Sequence, residues 1–350
     1  LKPEAENDCK NGALRWLKGF GIFMLNIAII GAGLSGLTAA NILNEHAKVT
    51  VFDKAKVPSG RLATRRAEPY NFDHGCQFFS AKSNAFKEFL APMLRHGVIK
   101  CWNASFVEIE NRQVTKARQW DAQSRHYVGS PSMNAIGKFL SQDLHLLLGT
   151  PVTAVRKTPA GWLLKGESGQ DLGQFDWLIS AIPAQQAEHL WSEEMSFHAK
   201  IKTAQMAGCF TLMLGFETGF ALDYQAALVR GEDISWISVN SSKPDRKAAI
   251  SLLVHSSNSW ATKHENLDRY EALQHLLNQT SLVIGQDVSN ADHKAVHQWR
   301  YANGPKRSGE TYFIDHATRS GACGDWLIKG RVEAAFTSGL SIAQDILRQL

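Results

Sequence analysis

Gly31-Ala-Gly33-Leu-Ser-Gly36 is a GxGxxG set between an apolar run, Leu25 to Ile30, and a segment of helical periodicity, Leu34 to Leu43. In that setting each glycine has a distinct use. Gly31 makes a tight turn, Gly33 lets a pyrophosphate approach the backbone, and Gly36 lets helix and strand pack closely. The helix N-terminus then faces the phosphates with its free amides and the positive end of its dipole. Val49 to Phe52 reads as the next strand. Asp53 ends it 20 residues past Gly33, where a carboxylate can accept hydrogen bonds from an adenosine ribose. Strand, turn, helix and strand in this order make a βαβ unit that binds an ADP moiety.

That fingerprint fits NAD and FAD equally, since both carry an ADP half. The far end of the chain favours FAD. Cys323-Gly324-Asp325 precedes a helical stripe from near Arg331 to Leu347, and a second helix start with an acid before it is what an extended FAD needs for its ribityl chain and flavin phosphate. The positive end of that helix, at Arg331 and Val332, can stabilise negative charge on a reduced flavin ring. Arg61, in Ser59-Gly-Arg61, can pair with the pyrophosphate. Lys54 follows Asp53 directly and joins the expected cofactor contacts. Phe72-Asp-His-Gly-Cys-Gln77-Phe78-Phe79 combines a glycine, an amide and aromatics, as a loop along a flavin edge would.

The elements that position these residues follow from pattern changes. Met133, Ile136, Leu140, Leu144 and Leu147 form a helical stripe that Gly149 can close. Val152 to Leu164 is rich in strand patterns, and Trp177 to Ile182 reads as a buried strand stopped by Pro183. Further strands are expected at Phe210 to Phe216 and Ala249 to Val254, with a helix from Leu267 to Leu277. The fold expected is α/β: a discontinuous Rossmann-like FAD-binding domain (24–80, 132–185 and 301–350) with an inserted α+β substrate domain (81–131 and 186–300).

Composition bounds the function. The 350 residues, 44% hydrophobic and 20% charged, are those of an ordinary two-domain globular protein. A net charge of +5 without a dense basic block argues against nucleic acid as the partner. No apolar run approaches the roughly 20 residues of a membrane-spanning helix. Five cysteines, never in a CxxC pair, disfavour zinc sites and a disulfide framework. Neither HExxH nor any other metal spacing occurs, and GxSxG is absent. A soluble cytoplasmic protein without a metal is expected, with its oligomeric state left open. Met24 precedes the first strand, so residues 1–23 are expected to be an extension outside the native domain.

From Met24 onward the chain resembles the flavin amine-oxidase-like superfamily, and within it the renalase family, especially its bacterial members. The resemblance rests on IAIIGAGLSGL, FDK at 52–54, SGR at 59–61, DHGCQFF at 73–79 and VGSPSMNAI at 128–136. LVHSSNSW at 253–260, QWRYA at 298–302 and CGDWLIKGRVEAAFTSG at 323–339 continue it, in order, over nearly the whole length. It implies a fold like that of p-hydroxybenzoate hydroxylase. Ser35, Arg61, Gln77 and Phe78 would be contacts of a non-covalent FAD, with Val152 near the adenine and Asp325 on the ribityl or phosphate side. The implied activity is oxidation of dihydronicotinamide isomers of NAD(P)H, with O2 returning the flavin to its oxidised state as H2O2.

His255 falls in the family's active-site region as a substrate-positioning or charge-stabilising group, and Trp260, Trp299 and Tyr301 would wall the flavin face. The chain departs from the family at Ser59, where glycine is common, and at Phe78, where tyrosine is common. A conventional flavin amine oxidase and a non-catalytic flavin-binding redox sensor are the competing readings.

Overall fold

A computed structural model of the protein describes residues 24–121 and 123–349, so the reading of 1–23 lies outside the described residues. The first sheet runs in the order Tyr312–Asp315, Ser320–Cys323, Trp177–Ser180, Asn26–Ile30, Lys48–Asp53 and His145–Leu148. Its strands are parallel except for the outermost pair, Tyr312–Asp315 with Ser320–Cys323. Asn26–Ile30 is central and covered on both faces, which is why it is an almost unbroken apolar run. The helices Leu34–Leu43 and Val332–Leu347 cover one face. On the other, Trp162 and Leu164 of a three-stranded antiparallel sheet (Val152–Thr158, Gly161–Gly166, Asp171–Phe175) pack on Ala28, Phe52 and Leu178.

The second sheet is seven-stranded, in the order His293–Asn303, Ala207–Phe216, Ile250–Ser256, Ile234–Val239, Ala226–Arg230, Ser105–Glu110 and Gln113–Gln119. Alternation along its strands sorts side chains cleanly. Phe210, Leu212, Leu214, Leu252, Val254 and Ile237 face the helix Arg269–Ile284 and make a core of their own. Met213 and Leu253 point the other way, onto Tyr70 and Phe72 of the first domain. The site lies between that second face and the first sheet.

Three sequence expectations are corrected. The stripe from Met133 to Leu147 is not one helix: the helix ends at Leu140, and His145–Leu148 becomes the edge strand beside Lys48–Asp53. A short apolar run fits both periods, and pairing to an open sheet edge decides it. The helix Asn84–Arg95 buries Phe86, Leu90 and Met93 in the first-sheet core, not in the substrate domain. Trp191, Phe197, Ile201 and Met206 likewise pack on the first sheet. These amphipathic segments thus cover faces of the first sheet that would otherwise be open.

Candidate functional site

The glycines of the first turn differ in what surrounds them. A Cβ on Gly31 would lie 2.7 Å from the Ala181 carbonyl oxygen, and one on Gly36 would overlap the Gly31 carbonyl oxygen. Both positions are closed by the protein itself. At Gly33, the N-cap of the first helix, no atom of the described residues lies within 4 Å of such a Cβ, and φ is an ordinary −78°. That open space sits over uncapped helix amides. Ser35 Oγ is buried close by, with the Cys323 thiol, a weak hydrogen-bonding group, as its side-chain partner. An acceptor-rich phosphate fits this combination of free donors and room.

Asp53 accepts from the Ala32 amide at 2.6 Å and the Ala55 amide at 2.8 Å, which anchors its carboxylate at the turn with further lone pairs available to a ribose. Thr150 N–H donates to the Asp53 carbonyl, and this brings Val152 to the same end of the sheet. Lys54 is exposed.

Arg61 and Asp325, read separately in the sequence, meet. Two guanidinium nitrogens of Arg61 donate to the two Asp325 oxygens at 3.0 and 2.5 Å, and Nη1 also reaches the Ala302 carbonyl at 2.9 Å. This paired fork joins the loop after the second strand to the turn before the last helix. The N-terminus of that last helix, at Val332, carries no side-chain cap among the described residues, and Arg331 is exposed. Gly324 donates its N–H to Ser338 Oγ at 2.8 Å.

Between the two sheets runs the segment 72–79. Asp73 is fully buried and accepts from Thr64 Oγ1, the Met133 amide, Arg246 and Lys243. Burial pushes its carboxyl up, but Lys243 and Arg246 outweigh burial and hold it below the usual carboxylate range. Lys243, 2% exposed, is pushed down to about 8 by burial, against the pull of Asp73. Its Nζ donates to Asn240 Oδ1 at 2.9 Å and Gln77 Oε1 at 3.2 Å. Gln77 Nε2 stands 3.3 Å from His255 Nε2. The His74 carbonyl accepts from Trp299 Nε1 and Thr211 Oγ1, each at 2.9 Å, and the Trp299 ring stacks on the His74 ring. Gln77, His255 and Trp299 thus converge on one loop.

The remaining predicted aromatics divide. Tyr301, two residues along the same strand face as Trp299, packs into the core beneath the first sheet. Trp260 does not reach the site. It is 6% exposed within the core against the helix Arg269–Ile284, between the rings of His264 and His275. The strand that carries His255 explains this: Leu252 and Val254 face that core, and His255 faces the other way.

Sequence reasoning missed Lys243, Arg246 and the charge of Asp73. One acid within the aromatic stretch 72–79 was a signal for a buried, paired carboxylate. Ser-Ser-Lys243-Pro gave none.

Three histidines beside this loop resist protonation. Burial is the largest cause for each, holding His74 at about 3 and both His255 and His297 at about 4; neighbouring His297, Lys243 and Arg65 respectively push the same way. The unfolded chain protonates near 6.5 while the folded rings stay neutral, so stability is full above that pH and is lost as pH falls below it. Each ring contributes a slope of up to about 1.4 kcal/mol per pH unit, less for the more exposed His297. Thermal melts should show the midpoint falling by roughly 5–10 °C from pH 7 to pH 5. A flat profile would refute the neutral, buried assignment.

Similarity to known proteins gives this site a family. Residues 111–347, two thirds of the chain, match the flavin containing amine oxidoreductase family, and residues 29–92 match an NAD(P)-binding Rossmann-like domain. The chain belongs to the flavin containing amine oxidoreductases. It is a flavin-dependent oxidoreductase with FAD as cofactor. Solved structures of the same fold include a candidate protoporphyrinogen oxidase from Exiguobacterium sp. 255-15. That protein is 10% identical at a TM-score of 0.75, over 94% of this chain and 100% of that one. An engineered triple mutant of putrescine oxidase (13%, 0.70, 93% and 99%) and wild-type putrescine oxidase bound to putrescine (12%, 0.64, 93% and 99%) share it as well.

The residues of this oxidoreductase fit FAD. The space at Gly33, the buried Ser35 hydroxyl and two helix N-termini without side-chain caps are cradles for acceptor groups. No helix among the described residues is long and apolar enough to cross a membrane.

Proposed function

We propose that this oxidoreductase oxidises dihydronicotinamide isomers of NAD(P)H to the ordinary oxidised cofactor, as the renalase-like motifs imply. FAD, when bound, would supply the two-electron chemistry that links oxidation of the donor to reduction of O2 to H2O2. The protein's own residues bind and orient the donor and exclude water.

The observation that carries this reading is an aromatic cluster around Phe78. Its ring lies 4.8 Å from Trp120, 5.0 Å from His126 and 5.3 Å from Trp236, and Trp120 stacks on His126 at 3.7 Å. Trp120 Nε1, Trp236 Nε1 and His126 Nδ1 are buried without partners among the described residues. Leaving such groups unsatisfied costs about 1–3 kcal/mol each. Trp120 is itself sandwiched between His126 and Phe106, so a flat ring bearing a carboxamide would stack on the half-buried Phe78 and Trp236 and give the Trp236 N–H an acceptor. The buried carboxylates nearby are engaged, Asp73 by Lys243 and Arg246 and Asp325 by Arg61, so neither is free to pair with an ammonium group. The excess of cation over carboxylate suits a donor that carries phosphates.

Anaerobic mixing of the holoenzyme with partly isomerised dihydronicotinamides, ordinary NADH and NADPH, and a panel of amines tests the proposal. Bleaching of the flavin absorbance by the isomers, with peroxide formed on readmitting air, is the expected result. Bleaching by amines alone would assign the enzyme to conventional amine oxidation, and no bleaching by any donor would favour the redox sensor. Trp236→Phe keeps the ring and removes the N–H. It should raise KM for the isomers about five- to tenfold with kcat little changed; an unchanged KM would remove that indole from donor recognition.

A further inference from the structure

The orientation of one amide limits what His255 can do. Gln77 Oε1 accepts from Ser238 Oγ at 2.8 Å and from Lys243 Nζ at 3.2 Å. Gln77 Nε2 faces the carbonyl oxygens of Asp73 at 2.5 Å and Gly75 at 3.0 Å. Reversing the amide would turn its NH2 onto an ammonium that has only donors, and its oxygen onto two carbonyls. Both contacts are repulsive, so Nε2 is the atom that faces His255 Nε2 at 3.3 Å. An amide NH2 offers no lone pair. A proton on His255 Nε2 would therefore point at another donor.

We propose that Lys243 and Gln77 are positioning residues that hold His255 as a neutral ring, with Nε2 an acceptor and the proton on Nδ1. His255 then serves the site as an acceptor and a surface, and Lys243 is the buried cation beside it. This discards the charge-stabilising role that the sequence allowed for His255, and it holds whichever donor is oxidised. Burial and the charge of Lys243 act in the same direction, holding the ring at about 4, and the His74 carbonyl is its backbone hydrogen-bond partner. The titratable and charged groups facing this cluster are Asp73, His74 and Cys76 on the loop, Lys243 and Arg246 after the turn Asn240–Ser242, and His297 on the neighbouring strand.

The test is NMR of the FAD-loaded protein labelled with 15N-histidine, with His255→Asn used to assign its imidazole signals. Between about pH 5 and pH 8, where an ordinary histidine titrates, His255 should keep a bare Nε2 and a protonated Nδ1. Gln77→Glu puts a carboxylate in place of the amide. It should move the proton to Nε2 and raise the titration by about two units or more. Lys243→Met should raise it as well, by removing the cation. A wild-type ring protonated at Nε2, or titrating near its ordinary value, would overturn the proposal even if neither variant folds. An unchanged titration of His255 in a folded Lys243→Met variant would do the same.

Discussion

Gly33→Ala should yield a folded protein that has lost its grip on FAD. The backbone there has an ordinary φ, and no described atom stands where the methyl group would go, so the apoprotein has no reason to rearrange. The methyl group instead fills the space over the helix amides into which a pyrophosphate must descend. A clash of that size costs roughly 2–3 kcal/mol of binding, or about 30- to 150-fold in Kd. Titrating apoprotein with FAD while following protein melting separates the two effects. Gly36→Ala is the contrasting case. Its Cβ would overlap the Gly31 carbonyl oxygen, backbone against backbone, and the chain should fail to accumulate in soluble form. Equal FAD affinity in wild type and Gly33→Ala would mean that the phosphates lie elsewhere.

The second large effect is expected at Asp73→Asn. The change preserves shape and removes the single negative charge that Lys243 and Arg246 share, with the three side chains 0–1% exposed. Two cations would then be left in a medium that solvates them poorly, which costs about 3–5 kcal/mol. The melting midpoint should fall by roughly 6–10 °C. Exposed pairs such as Lys200 with Glu310 offer the control, since Glu310→Gln should move the midpoint hardly at all. A comparably small shift for Asp73→Asn would show that the network is not the joint between the two domains.

The nucleotide-binding half was legible because its constraints are local. Gly31, Gly33, Gly36 and Asp53 lie within one βαβ unit, where spacing along the chain is nearly spacing in space. The last helix was legible from its period. The site's other half comes from residues far apart in sequence: Gln77 meets His255 and Lys243 across two domains, and nothing in Ser-Ser-Lys243-Pro marks that lysine as buried. Trp260 shows the converse error. It lies close to His255 in sequence, yet it packs on the opposite side of the sheet, because the strand's alternation and the helix that follows carry it there. Phe78 was visible as an aromatic in a loop. Its neighbours Trp120, His126 and Trp236 were not, since the first two follow the strand Gln113–Gln119 and the third lies in Ile234–Val239, all far from Phe78 in sequence.

The close crossing of the first and last helices has a consequence for how the enzyme is made. A Cβ on Gly339 would overlap the Ser35 carbonyl oxygen, so the helix that follows the glycine turn rests directly on the final helix. Arg61 is likewise completed by Asp325. A nascent chain on the ribosome holds the turn long before it holds either partner. The cradle at the glycine turn is therefore complete only once the helix Val332–Leu347 has been made and has packed onto Leu34–Leu43.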